Sequence, residues 1–179
     1  MTTASVSRLS AIVAATADAV ADDATKAHVV FRAAARAHDA VASTVSLGKY
    51  SVEVDEPPAL GGDNAAPNPV EYYLASLLSC HVVTYRFWAE RLGIRVDDIE
   101  ARAEGDLDVR GFFGFDEAVR PGFGEVRVVV TVTGPETRER YLELHSAAEA
   151  HCPVLDLTRN PTPVVSVLET PASAVGDGH

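Results

Sequence analysis

The sequence predicts an α+β domain in which antiparallel sheets hold a long, mostly apolar helix. Three observations lead there. Residues 68–93, NPVEYYLASLLSCHVVTYRFWAERLG, place helix start and stop signals around an apolar stretch. Alternating or β-branched runs lie on both sides of it, separated by single helical segments. At 179 residues the chain is long enough to bury a sizeable core within one domain.

Taken in order, residues 1–25 read as an amphipathic helical extension, with Val6, Leu9, Ile12, Val13 and Val20 near one stripe and Asp18, Asp22 and Asp23 elsewhere. Its acidic charges favour packing on the body or on a partner subunit over a membrane surface. The main domain is expected over residues 26–169, with a frayed tail at 170–179. From Lys26 to Ala42 the alanines favour helix. However, His28, Val30, Arg32, Ala34, Arg36 and His38 alternate with the apolar row Val29, Phe31, Ala33, Ala35 and Ala37, which predicts a half-buried strand. Val41–Leu47 and Tyr50–Asp55 follow as strands joined near Gly48. The Pro57-Pro58 and Gly61-Gly62 segments make a loop feeding the central helix.

That helix is expected over Pro69–Leu92. Asn68 suits the N-cap, Pro69 the first helical position, and Glu71 the capping-box carboxylate. Arg91 complements the dipole and Gly93 suits a left-handed C-cap. Tyr72 to Val83 leaves no continuous polar side, so the middle of the helix should be enclosed. Glu71, His81, Arg86, Glu90 and Arg91 keep the apolar run well below the ~20 residues of a membrane span.

Beyond it, Ile99–Val109 and Val126–Thr133 read as strands. A loop between them carries Phe112, Phe113 and Phe123, placed to line a pocket or meet a subunit. Gly134-Pro135 opens a second helix with Tyr141, Leu144, His145 and Ala148 on one face. Cys152-Pro153 then starts a short turn with Cys152 at its N-cap, and Val164–Leu168 reads as a last strand. One small sheet gives so apolar a central helix too little cover. A homodimer whose subunits enclose each other's helices is therefore expected.

Composition narrows the function. The 15 basic and 26 acidic residues give a net charge of −11 with no basic block, which argues against nucleic acid and anionic membranes as partners. Two cysteines are too few for a disulfide scaffold, and no signal peptide is visible, so a cytoplasmic protein is expected. No CxxC or HxxxH cluster supports a metal, and neither a phosphate loop nor a nucleophile elbow is present, so no cofactor is expected. His81 and His151 each follow or precede a cysteine, and packing or an ordinary hydrogen bond is the expected role of both.

The stretch from Gly48 to Ile94, the later EGDLDVRGFFGF and VRPGFGEVRVVVTV, and HCPVLDLTRNPTPV together resemble the OsmC/Ohr family of osmotically inducible and organic-hydroperoxide-resistance proteins. The resemblance runs from about Tyr50 to Leu168. It rests on Asn-Pro-x-Glu ahead of a helical cysteine, with a distant Cys-Pro-Val. It implies an intertwined homodimer with sites at the subunit interface. In the peroxidase branches it also implies a cysteine pair that reduces organic hydroperoxides and is recycled by a dithiol reductant. By that resemblance Cys80 attacks, Cys152 resolves, and Glu71 belongs to the site. In the alternative the same dimer is non-catalytic and binds an apolar small molecule.

Two departures separate the chain from the hydroperoxide-resistance branch. Val70 follows Asn68-Pro69 where that branch has an acidic residue, with Glu71 one place later. Where that branch has an arginine near the first hairpin, the residues around Asp39 are Ala-His-Asp-Ala, with Arg32 and Arg36 earlier. Cys80 also lies about three turns inside its helix, beyond the reach of the macrodipole. A reactive Cys80 therefore needs a cation from another segment or subunit.

Overall fold

The computed structural model describes residues 8–170. The expected Val6 end of the first helix and the tail beyond Thr170 lie outside the described residues. Helix α1 (Arg8–Asp22) leads into the central α2 (Pro69–Leu92) by way of three strands, β1 (Ala33–Ala37), β2 (Ser43–Leu47) and β3 (Tyr50–Val54). After α2 come β4 (Asp98–Asp106), a one-turn α3 (Val109–Phe112), β5 (Glu125–Thr133), α4 (Arg138–His151) and α5 (Pro153–Arg159). The class is α+β, as expected, with two antiparallel sheets in the orders β1-β2-β3 and β4-β5.

Helix α2 begins and ends where its capping residues dictate. The Asn68 side chain accepts from the Glu71 N–H at 2.9 Å, and the Glu71 carboxylate accepts from the Asn68 N–H at 2.9 Å. Together these bonds satisfy two of the backbone donors that a helix start leaves unpaired. Gly93 closes the other end at φ +63°, a left-handed conformation that needs no side chain. The buried residues Leu77, His81, Tyr85 and Ala89 recur every four positions and form one stripe. Their neighbours come from the second half of the chain. Tyr85 and Ala89 pack with Ile94, Ile99, Leu144 and Ala148, while Leu77 packs with Cys152 and Leu155.

The second sheet supports this core. β4 and β5 pair through all nine positions, from Asp98 opposite Thr133 to Asp106 opposite Glu125. Val126 and Val128 face the Leu77–Cys152 cluster, and Val130 and Val132 face the Tyr85–Leu144 cluster. Their period-two spacing puts all four on one face.

Several expectations are corrected. The strand predicted across Lys26–Ala42 shrinks to Ala33–Ala37, preceded by a 3-10 turn at Ala24–Ala27, and every β1 residue is exposed rather than half-buried. Alternation alone does not supply a surface to bury against. No strand forms at Val164–Leu168, where Val165 is 88% exposed and Leu168 87%. A strand needs a partner, and that run pairs with neither sheet of the protomer. The second helix starts later than expected, at Arg138, where the Thr137 side chain accepts from Arg140 N. Helix α2 is also not enclosed all round, because Ala75, Ser76, Ser79 and Val83 are exposed in the protomer.

Candidate active site

Cys80 and Cys152 meet at the Leu77 end of the core. Cys80 lies on α2 and packs against the cluster of Leu77, Cys152 and Leu155, with Val126, Val128 and Val154 around it. It is partly accessible, whereas Cys152 is 1% exposed. Cys152 closes α4 and caps α5, with Pro153 in the first helical position. The break between two helices is what carries the second thiol onto α2. Burial is the largest influence on Cys152 and pushes its thiol up; the Leu155 backbone opposes the rise, contact with Cys80 adds to it, and Thr84 opposes it.

A polar chain runs away from Cys152. His81, 1% exposed, places Nδ1 3.9 Å from the Cys152 sulfur and 2.8 Å from the Leu77 carbonyl oxygen. Its Nε2 lies 3.4 Å from Glu149 Oε1, and Arg159 donates to Glu149 Oε2 at 2.6 Å. Burial acts against the Glu149 charge, but Arg159, with His145 and His81, holds its carboxyl below the ordinary value. Tyr85 stacks beside His81, and its hydroxyl shares a short hydrogen bond with His145 Nδ1. Burial, followed by the charges of Glu149 and Cys152, pushes the Tyr85 hydroxyl up to about 12.

His81 and Glu149 also line an open cleft of about 780 Å³. Tyr73, Leu77, Phe123, Val126 and Leu155 supply apolar wall, and Arg120 and Arg159 supply charge. Phe123 sits 5.8 Å from the Tyr73 ring, and a side chain at Gly105 would strike it, so the second aromatic loop is seated by that close approach. Of the loop aromatics expected to line a pocket, Phe123 does so, while Phe112 and Phe113 remain on the surface.

Cys80 and Cys152 are thus brought together, and Glu71 is not brought to them. It is exposed and holds the start of α2, roughly 14 Å along the axis from Cys80 at ~1.5 Å per residue. Arg32 and Arg36 are exposed, with Arg36 on β1. Sequence reasoning missed His81, Glu149 and Arg159 as a connected group. The four-residue recurrence of Leu77, His81 and Tyr85 was the available signal, because it puts a histidine on the buried face. Among the described residues no His, Cys, Asp and Glu side chains converge as a metal site. None of the described helices is long and apolar enough to cross a membrane.

A long helix backed by an antiparallel sheet, with one cysteine on the helix and another at the break between two later helices, defines a two-thiol α+β protein. The chain belongs to the OsmC-like protein family, whose pattern matches residues 61–167. Its fold is similar to that of the OsmC-like protein of Mycoplasma pneumoniae, with a TM-score of 0.64 at 14% identity over 74% of this chain and 89% of that one. It is also similar to an organic hydroperoxide resistance protein of Elizabethkingia anophelis solved with crystallant-derived thiocyanate bound. There the TM-score is 0.59 at 22% identity, over 75% of this chain and 91% of that one. In sequence, 77 residues are 25% identical to the Bacillus subtilis protein YmaD, covering 42% of this chain. The match spans about half of that relative's length, 51%.

Proposed function

We propose that the protein is a thiol-dependent peroxidase that reduces organic hydroperoxides through Cys80 and Cys152. The observation that carries this reading is the packing of both cysteines in one cluster, whose Leu77, Leu155, Val126 and Val128 also line a cleft of mixed polar and apolar wall. The Cys80 thiolate attacks the outer peroxide oxygen, the O–O bond breaks, and the alcohol leaves after taking up a proton. Cys80 is left as a sulfenic acid. Cys152 condenses with it to a disulfide and releases water. A dithiol reductant restores both thiols, which suits a reducing compartment such as the cytoplasm. Glu71 serves the cycle as a positioning residue, by fixing where α2 starts.

Relatives named for organic hydroperoxide resistance support this chemistry at the level of the family. The reading includes a homodimer, in which a second subunit would cover the exposed Ala75, Ser76, Ser79 and Val83 face of α2 and supply the cation that Cys80 needs. The competing reading is a non-catalytic dimer that binds an apolar small molecule. It is favoured by Val70 on the cleft wall and by the upward push on the Cys152 thiol.

The test is stoichiometric. One equivalent of cumene hydroperoxide should remove both thiols and close an intramolecular disulfide. Cys152→Ser should stop at a sulfenic acid that dimedone traps, and Cys80→Ser should consume nothing. A wild-type protein that keeps both thiols under excess hydroperoxide would give the binding reading its place.

A further inference from the structure

His81 has work to do that neither packing nor Cys80 explains. It is a titratable ring buried to 1% exposure, and its two nitrogens face three groups of different chemistry. Nδ1 meets the Leu77 carbonyl at 2.8 Å and the Cys152 sulfur at 3.9 Å, and Nε2 meets the Glu149 carboxylate at 3.4 Å. A carbonyl oxygen only accepts, so Nδ1 carries hydrogen. An ionised carboxylate also only accepts, so an imidazolium, with hydrogen on both nitrogens, is the form that satisfies both partners. The cation then lies against the sulfur of Cys152.

We infer that His81 is the counter-charge of the Cys152 thiolate and governs the step in which Cys152 closes the disulfide with Cys80. This rests on the two-cysteine reading above and adds a residue to its second half. Burial disfavours the charged form of Cys152, so a thiol in that place attacks poorly unless a cation accompanies it. His81 supplies the cation, and Glu149 is a positioning residue that holds the ring through Nε2 and is itself held by Arg159 at 2.6 Å. The other groups about the ring keep this assignment consistent. Tyr85, stacked on it, stays protonated with a value near 12 and adds no charge, and the Tyr85 hydroxyl is spent on His145.

The step balances without another reagent. The Cys152 thiolate attacks the Cys80 sulfur, the S–S bond forms and the S–O bond of the sulfenic acid breaks. Cys152 loses its proton to solvent when the thiolate forms, and the departing hydroxide takes one proton back from solvent and leaves as water. The Cys152 thiolate is consumed at that point, and the ring has no further charge to balance.

The test uses dithiodipyridine, a neutral disulfide that reads the same attack without any hydroperoxide. The accessible Cys80 should react first and release one thiopyridone. Buried Cys152 should then displace the second from Cys80 and close the disulfide. In His81→Asn this second release should slow about tenfold or more, because exchange follows the thiolate fraction. With cumene hydroperoxide the same variant should accumulate a dimedone-trappable sulfenic acid at Cys80. Glu149→Gln, which keeps the volume on α4, should also slow the second release and move its pH profile, an effect that loss of packing alone would not produce. It stands in if His81→Asn does not fold. A second release at the wild-type rate and with the wild-type pH profile, in either folded variant, overturns the inference. Failure of wild-type protein to consume hydroperoxide, with the two-phase thiopyridone release intact and His81-dependent, would overturn the peroxidase reading alone.

Discussion

Cys80 and His81 are neighbours in sequence and face different ways, because one step along a helix turns a side chain by about 100°. Cys80 is left partly open, and His81 is turned to the buried stripe where Cys152, Glu149 and Tyr85 converge. Glu149 gives this scale a test in pH. Its carboxyl is held down in the folded protein, so its stabilisation is present above the unfolded value of about 4.5 and is lost as pH falls through the lower folded value. Glu149→Gln should therefore melt earlier than wild type near neutrality, and the gap should close in acid below pH ~4.5. Thermal melts of both proteins across that range measure it; a gap independent of pH would mean that the charge contributes nothing. A second residue-scale expectation concerns Leu144, which is 0% exposed between α2 and the second sheet. Leu144→Ala should cost about 2–5 kcal/mol in denaturant melts, the usual range for a cavity in a packed core.

Among the elements, α2 is the one whose limits are set locally. Both halves of its capping box are made at 2.9 Å, and Pro69 occupies the first position where a missing N–H costs nothing. Asn68→Ala should lower stability by ~1 kcal/mol, read from the shift of the urea midpoint. Glu71→Ala should cost less than this, because the Asn68 cap on the Glu71 N–H survives it. The strands behave differently. β4 and β5 find each other through nine paired positions, whereas the valines of 164–168 pair with no strand of the protomer. The same β-branched composition gives a strand in one place and open chain in the other. The partner, not the propensity, makes the difference.

At the scale of the molecule, apolar surface is left over. Phe31 is 90% exposed, Val165 and Leu168 almost as much, and at the surface the Phe113 ring stacks on Phe115 and meets Phe112 edge-on. A homodimer is the expected outcome, and light scattering at micromolar concentration should return a dimer mass. Val165→Asp, which removes nothing from the protomer's own core, should raise the dimer's dissociation constant if that run completes a partner's sheet. A stable monomer with native circular dichroism would sink this expectation.

Much of the architecture was legible from residue order alone. The limits of α2, the hairpin at Gly48 with φ +63° and the place of Cys152 at the start of α5, ahead of Pro153, each depend on residues close in sequence, so local chemistry suffices to place them. The resemblance to a family reached the two cysteines, and the match over residues 61–167 bears out that family. Tertiary structure alone decided which side chains stand together. Cys152 lies 71 residues from His81, and Glu149 lies 68 residues from it, yet they share one buried group. No periodicity within α2 encodes what a later helix break will bring against it. The short reach of β1, the exposed 164–168 run and the open Val83 side of α2 have the same origin. Burial is a property of two surfaces, and a single stretch of sequence specifies only one of them.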